Sequence, residues 1–320
     1  MKRASMLLAV IAQLLVLQHA QAYPDRPIKL VVPSPAGSPP DQMARLVSDK
    51  MSANLGQPVI VDNRAGGAGG TVGAKSVVTA EPDGHTILLC STSNLLIAPL
   101  IYKDVGYNAG TFVPVARIGD TMEMLAVHPV VPARSVAELV SLAKSRPGVL
   151  NFGSAGVGTL PHLEGELLKA RAEIDISHIP YRGGNQALTG LLGGEIQILF
   201  STLTQVLPHV RDGRLRALAV AGEARSPLAP ELPTMVESGF DQFVMTSITG
   251  IVAPPGTPLM IRQRLNEAVA SALASAEVEQ AFSRLGVQAR PVSPDEFASY
   301  LAREQQHWGR IIETTRVSVD

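Results

Sequence analysis

The side chains whose types and spacing could do chemistry in this chain are hydroxyls, amides and guanidiniums set among glycines, and the chemistry they suit is holding an anion. In residues 28–41, IKLVVPSPAGSPPD, a continuous apolar run reads as a strand covered on both faces. It leads through Ser34, Pro35, Ala36, Gly37 and Ser38 to Asp41, the expected N-cap of an amphipathic helix. Residues 151–168, NFGSAGVGTLPHLEGELL, repeat the design: a strand, then Ser154, Gly156, Gly158 and Thr159, then a helix that begins near Pro161 with His162 in its first turn. Loops at the carboxyl ends of strands, closed by a helix N-terminus, carry free backbone N–H groups and a dipole that favours negative charge. Each dipole supplies only about 0.3–1 kcal/mol, against roughly 8 kcal/mol for micromolar binding. Direct or water-mediated hydrogen bonds and closure of one loop upon the other must therefore supply most of the affinity.

Further polar clusters follow other strands. Ser91, Ser93 and Asn94 come after an apolar strand at 86–90, Arg182, Gly183, Gly184 and Asn185 after one at 174–179, and Ser201 and Thr202 after one at 196–200. Arg182 and Arg64 stand on loop shoulders from which a guanidinium can reach a carboxylate, although an arginine exposed to solvent is the commoner case there. Competing chemistries fit less well. The glycine-rich stretch 63–74, NRAGGAGGTVGA, lacks both the Gly-Lys-Ser/Thr of a phosphate loop and the Gly-x-Gly-x-x-Gly spacing. The histidines show no paired ligand spacing, so no metal and no cofactor is expected. Ser154 and His162 can be drawn as nucleophile and base, but no nucleophile elbow is present. Ser154 reads better as a hydrogen-bond donor or turn cap, and His162 as settling the first helical turn. No catalytic residue is assigned, and binding without chemistry is expected.

The elements that must position these loops read as α/β. Helices are expected at 41–55, to 78, at 135–145 with a Ser135–Glu138 capping box, from 161, to 192, and through the tail at 259–274, 278–285 and 294–315. Strands are expected at 58–61, 113–118, 122–127, 149–152, 215–221, 244–252 and near 287, the one at 215–221 completing a βαβ series. The run 244–252 returns the chain to its first half. Trp308, Ile311 and Ile312 sit at helical spacing as core residues. The expected organisation is a leader at 1–22, a first domain of 23–124 with 246–320, and a second of 125–245.

Lys2 and Arg3 precede a 12-residue apolar run at 6–17, and Ala20-Gln21-Ala22 is a small-x-small cleavage site. The run is too short to span a bilayer, so export to the periplasm with cleavage after Ala22 is expected. The mature chain would carry 25 basic and 28 acidic residues, which leaves no nucleic-acid footprint. A single cysteine, Cys90, lies in an apolar run and forms no internal disulfide, so stability must come from the core.

Taken together, YPDRPIKLVVP, NRAGGAGG, EPDGHTILL, HPVVPARSVAELV, NFGSAGVGTLPHL, PYRGGNQALTGLLGGEIQILF, GRLRALAV and APPGTPLMIRQRLNEAV resemble the Bug family of periplasmic solute-binding proteins. These are the TctC-like receptors of tripartite tricarboxylate transporters, and the likeness covers essentially all of the mature chain. The resemblance implies a two-domain Venus-flytrap fold, type II-like, with a ligand cleft between the domains. It implies that the loops at 33–41 and 156–162 pinch a ligand carboxylate, partly through ordered waters, with 91–94, 181–186 and 201–202 lining the rest. The implied partners are a small mono-, di- or tricarboxylate, the membrane subunits of a transporter and, as an alternative, a sensor kinase; a monomer is expected. The chain departs from the family pattern at Ser34, where an aromatic is usual, at Ser38, where a glycine is usual, and at Pro39-Pro40, where Gly-Thr is usual. Gln186 replaces a usual proline. No acid stands near Ser201, where the family's amino-acid binders are expected to meet the ligand ammonium.

Overall fold

The computed structural model describes residues 23–318; the expected leader and its cleavage site lie outside the described residues. The chain begins with β1 (Ile28–Val32), paired in parallel at its edges with β2 (Val59–Asn63) and β3 (Thr86–Ser91); its apolar residues are buried on both faces, Ile28, Leu30 and Val32 in one apolar cluster and Val31 in another. Between β1 and β2 runs α1 (Pro39–Leu55), which stops at Gly56 in the left-handed conformation, its N–H bonded to the Ser52 carbonyl. Helix α2 (Thr71–Val78) connects β2 to β3, and a π turn (Ser93–Ile97) with the short α3 (Ala98–Ile101) follows β3.

Strand β4 (Val113–Val127) is one 15-residue element, where the sequence suggests two strands separated at 119–121. The polar interruption Gly119-Asp120-Thr121 stays extended because it is paired on both sides, with β10 (Val287–Ala289) and with β9 (Thr246–Ala253). Arg117 chelates Asp120 at 2.7 Å and Arg290 adds a contact at 3.2 Å, so the carboxylate is fully compensated.

Helix α4 (Val136–Ser145) starts at Ser135, whose hydroxyl accepts from the Glu138 N–H; the Glu138 carboxylate reaches back to the Arg134 N–H, not to Ser135 as in the expected capping box. Then come β5 (Asn151–Ser154), α5 (Leu160–Ala172), β6 (Ser177–Pro180), α6 (Gly184–Leu192), β7 (Ile198–Thr202), α7 (Leu203–Arg211) and β8 (Arg216–Val220). Strands β5, β6 and β7 are mutually parallel, but β8 does not continue their series: it runs antiparallel to β4 on the side away from β7. The tail forms α8 (Leu259–Leu273), α9 (Ala276–Leu285) and α10 (Pro294–Thr315), the last opened by a full capping box between Ser293 and Glu296. Trp308 and Ile311 of α10 are buried, as their spacing suggests. Among the described residues no helix is long and apolar enough to cross a membrane.

The ten strands of the described residues form one curled sheet, eight of them in the order β2-β1-β3-β9-β4-β7-β5-β6, with β8 and β10 pairing β4 off this path. The two halves share β4, which pairs with β9 as far as Met122 and with β7 from Glu123 onward. The second crossing is at Met245, whose N–H bonds the Ala221 carbonyl just before β9 begins. Helices α1 and α8 cover one face of the first half, α7 packs on the outer face of the second, and one apolar cluster containing Leu88, Leu125, Leu163, Phe200 and Trp308 runs through both.

Candidate functional site

Strand directions place every polar stretch picked out in the sequence at one of two facing edges. Parallel strands β1, β2 and β3 run the same way as β4, so their carboxyl ends point toward the second half. Strand β7 is antiparallel to β4, so the carboxyl ends of β5, β6 and β7 point back toward the first. Ser91 is level with Gly119 through Thr249, and Thr202 is level with Glu123. Four residue steps along β4, from Gly119 to Glu123, separate the two edges, a gap of ~13 Å at ~3.3 Å per residue. This is a cleft between lobes, with loops at 34–38 and 91–94 on one wall and at 154–159, 181–185 and 201–202 on the other. They already meet at its mouth, where the Tyr102 hydroxyl lies 3.4 Å from the Val157 carbonyl. An open depression near Arg134, Ser135 and Glu231 lies away from both edges.

The first loop differs from expectation. Ser38, not Asp41, is the N-cap of α1, and its hydroxyl turns back to the Pro35 carbonyl at 2.6 Å instead of capping the helix. Pro39 and Pro40 occupy the first turn and have no N–H, so two of the donors a helix start normally offers are missing. Asp41 is 2% exposed and accepts from the Gly37 N–H at 2.8 Å, Arg45 Nε at 3.0 Å and Asn63 Nδ2 at 2.9 Å. Burial pushes its pKa up, but those hydrogen bonds and the Arg45 charge outweigh it and hold the carboxyl below the usual range. The positive end of the α1 dipole therefore already serves an internal carboxylate, and Asp41 shapes the loop instead of presenting itself to the cleft. What the loop does expose is Pro35, Ala36 and Gly37, with Ser34 and Ser38 half-buried; the Ser34 carbonyl is tied to Asn63 Nδ2 at 3.1 Å.

The glycine-rich stretch after β2 is the bed on which this wall rests. A Cβ at Gly70, whose φ is +90°, would sit 2.8 Å from the Pro33 carbonyl oxygen, and one at Gly69 would sit 2.9 Å from Ser93 Cβ. Ser91 and Asn94 close on each other, the Ser91 N–H donating to Asn94 Oδ1 at 3.0 Å. Asn94 is fully buried, with no hydrogen-bond partner for its Nδ2 among the described residues, and Ser93 stays half-buried at the surface. Arg64 is engaged by Asp62 at 2.9 Å.

In the second lobe Ser154 is fully buried, and its hydroxyl lies 2.7 Å from His178 Nε2. His162 accepts the Gly158 N–H on Nδ1 at 3.2 Å, which settles the first turn of α5, and its ring stacks on that of His178 at 4.1 Å. Burial lowers the His162 pKa to about 4, helped by Lys169, and lowers that of His178 to about 3, helped by His162 and Lys169. Both rings are neutral packing elements at neutral pH. Thr159 is the N-cap of α5, with its hydroxyl on the Gly156 carbonyl at 2.7 Å, and Gly158 packs against Ile101 and Tyr102 of the first lobe.

The richest source of donors is α6. Its cap is Gly183, and Gly184, Asn185 and Gln186 make up its first turn with no proline and no acid, so three consecutive N–H groups have no intrahelical partner. Arg182 and Asn185 are exposed beside them, and Asn185 Oδ1 is linked through Gln205 to Ser201, which is itself buried. Thr202 is half-buried and lies 3.4 Å from Glu123 Oε1.

Sequence reasoning missed Tyr102, His178, Gln205, Glu123 and Glu164. Their positions depend on strand pairing and helix packing between distant segments. For the two acids, a charge inside an apolar run of β4 and another on the inward side of α5 are the signals present in the sequence.

With the geometry in place, comparison with known proteins is direct. Residues 43–317 match the family described as Tripartite tricarboxylate transporter family receptor. Protein BugT of Bordetella pertussis is 37% identical over 298 residues, which cover 92% of this chain and 91% of that protein. Among solved structures, R. palustris Rpa4515 with adipate is 31% identical with a TM-score of 0.84, over 92% of this chain and 99% of that one. MatC from Rhodopseudomonas palustris with bound malate is 31% identical with a TM-score of 0.82, over 91% of this chain and 100% of that one. The expected α/β fold, that of a two-domain periplasmic binding protein, is shared with these neighbours. The chain belongs to the TctC family, the receptors of tripartite tricarboxylate transporters.

Proposed function

We propose that this protein is exported to the periplasm after cleavage behind Ala22, captures a small carboxylate-bearing metabolite between its lobes as a monomer, and delivers it to the membrane subunits of a tripartite carrier without altering it. The observation that carries this reading is the pair of facing carboxyl edges ~13 Å apart along β4, lined by neutral donors. That span suits a dicarboxylate with one carboxylate at each wall, and the relatives solved with adipate and malate hold dicarboxylates. One end would meet the open N–H groups of Gly184, Asn185 and Gln186 with Arg182 beside them; the other would meet the loop at Ser34–Ser38 and Ser93. The lobes divide at 124 and 246, close to where β4 changes partners and β9 begins. The fully buried Ser154 hydroxyl, hydrogen-bonded to both the carbonyl and the N–H of Gly156 and to His178, speaks for binding over chemistry.

A thermal-shift screen of the purified mature protein against mono-, di- and tricarboxylates tests this reading. Dicarboxylates are expected to raise Tm in a concentration-dependent way and to be recovered unchanged. Silence across the panel, or recovery of an altered compound, would overturn it.

A further inference from the structure

Behind the cleft floor lie two carboxyl groups that carboxylate capture does not itself require. Glu123 is 4% exposed and is the first residue of β4 to pair with the second lobe, directly after Met122, the last to pair with β9. By strand alternation it points to the same face as Leu125 and Val127, the face that α5 covers. From α5, Glu164 is fully buried on that side, and neither of its oxygens has a partner; Glu123 Oε2 also has none. Among the described residues the one side-chain hydrogen bond of the pair runs between Glu123 Oε1 and the Thr202 hydroxyl, and Thr202 is the half-buried end of β7 at the cleft wall.

We infer that the proton on Glu123 is linked to ligand binding. When Glu123 is protonated, its O–H can donate to Thr202 Oγ1, which leaves the threonine hydroxyl free to donate to a ligand carboxylate. When it is ionised, the Thr202 hydrogen turns inward to the carboxylate, the cleft meets only lone pairs, and a negative charge stands behind the floor. Capture of an anion then favours the protonated state and takes up a proton wherever Glu123 was ionised. This inference rests on the carboxylate reading above and names a regulation of that same site.

The surroundings leave Glu123 as the group that responds near neutrality. Burial raises its pKa to about 7 against the Thr202 hydrogen bond, and burial, with Glu123 beside it, raises that of Glu164 well above the usual carboxylate range. Beyond Glu164, α5 brings His162, which with His178 of β6 is uncharged at neutral pH, and Lys169, whose charge acts on those two rings. Strand β7 brings Thr202 and β8 brings apolar residues and a backbone N–H to the Glu123 carbonyl. Helix α7 meets the opposite, apolar face, and α10 brings Tyr300 against Arg117, near Asp120, further along β4.

The test is isothermal titration of the mature protein with malate and with adipate at about pH 6.5 and about pH 8.5, where both ligands are ionised, in buffers of differing ionisation enthalpy. The expected result is a loss of affinity of roughly tenfold or more at the higher pH, with net proton uptake near pH 7.5. In Glu123→Gln both the pH dependence and the proton uptake should vanish. Wild-type binding that is equally tight at both pH values with no proton uptake overturns the inference and leaves the carboxylate reading standing. Absence of binding to malate, adipate and a wider carboxylate panel at either pH overturns both. Should Glu123→Gln fail to fold, the wild-type buffer dependence alone decides, and Glu164→Gln, which keeps Glu123, is expected to retain it.

Discussion

Tyr102 and Val157 meet across the cleft, the phenol of the first lobe donating to a loop carbonyl of the second at 3.4 Å. The loop approaches this closely because residue 158 is glycine: its φ is +78°, and a Cβ there would stand 2.8 Å from Ile101 Cδ1 and 3.1 Å from Tyr102 Cε2. A hydrogen bond of this kind contributes about 0.5–1.5 kcal/mol, so Tyr102→Phe should weaken ligand binding by roughly twofold to tenfold. Gly158→Ala should cost more, because it strains the loop and holds the lobes apart. Calorimetric affinities of the two variants check the order, and equal losses would argue against a steric role for position 158.

Thr159→Ala is expected to weaken binding while leaving the fold intact. The hydroxyl bonds the Gly156 carbonyl at 2.7 Å and does not cap α5, so its loss frees the turn at the cleft without unlocking the helix. A Tm within a few degrees of wild type together with a several-fold higher Kd is the expected pair of results. Unchanged affinity would remove Thr159 from the site.

Replacing Pro39→Gly and Pro40→Thr together should strengthen carboxylate binding. The change restores two backbone N–H groups to the first turn of α1, each able to donate to a ligand oxygen directly or through water. It should also lower stability by about 1–2 kcal/mol, since two rigid prolines leave the unfolded chain. Urea denaturation and titration of one sample measure both effects; a lower affinity would mean that the proline-stiffened loop is the better binder.

Glu164→Leu should stabilise the protein at neutral pH by about 1–3 kcal/mol, because it exchanges a buried acid with no hydrogen-bond partner for an apolar side chain beside Leu163 and Leu167. The pKa of Glu164 is raised in the folded state, so the stability it permits is present below about pH 4.5 and lost as pH rises. Glu123 acts in the same direction, from about 4.5 up to about 7. The gain from Glu164→Leu should therefore be larger at pH 7 than at pH 4. Urea midpoints at the two pH values check this, and a gain independent of pH would show that packing alone is responsible.

Much of the scaffold was legible because its signals are local. The apolar run 28–32, the helix start at Ser135, the terminator Gly56 and the three tail helices all depend on residues within one or two turns of each other. The break expected at 119–121 was wrong because Asp120 is neutralised by Arg117 close by and by Arg290 from the far end of the chain. Strand 215–221 was found, but its direction was set by β4, a partner about 90 residues earlier.

The candidate site divides along the same line. By itself the sequence determined which stretches carry donors, since glycines, hydroxyls and helix starts occur together, and it determined that Pro39 and Pro40 alter the first loop. Only the tertiary structure decided which donors remain available. It buried Asp41, Asn94 and Ser154, paired Ser154 with His178, and left α6 with the most open N–H groups. It also set Glu123 and Glu164 behind the cleft floor. Burial and hydrogen-bond saturation are sums over groups distant in sequence, and those sums exist only once strand pairing has brought the two lobes together.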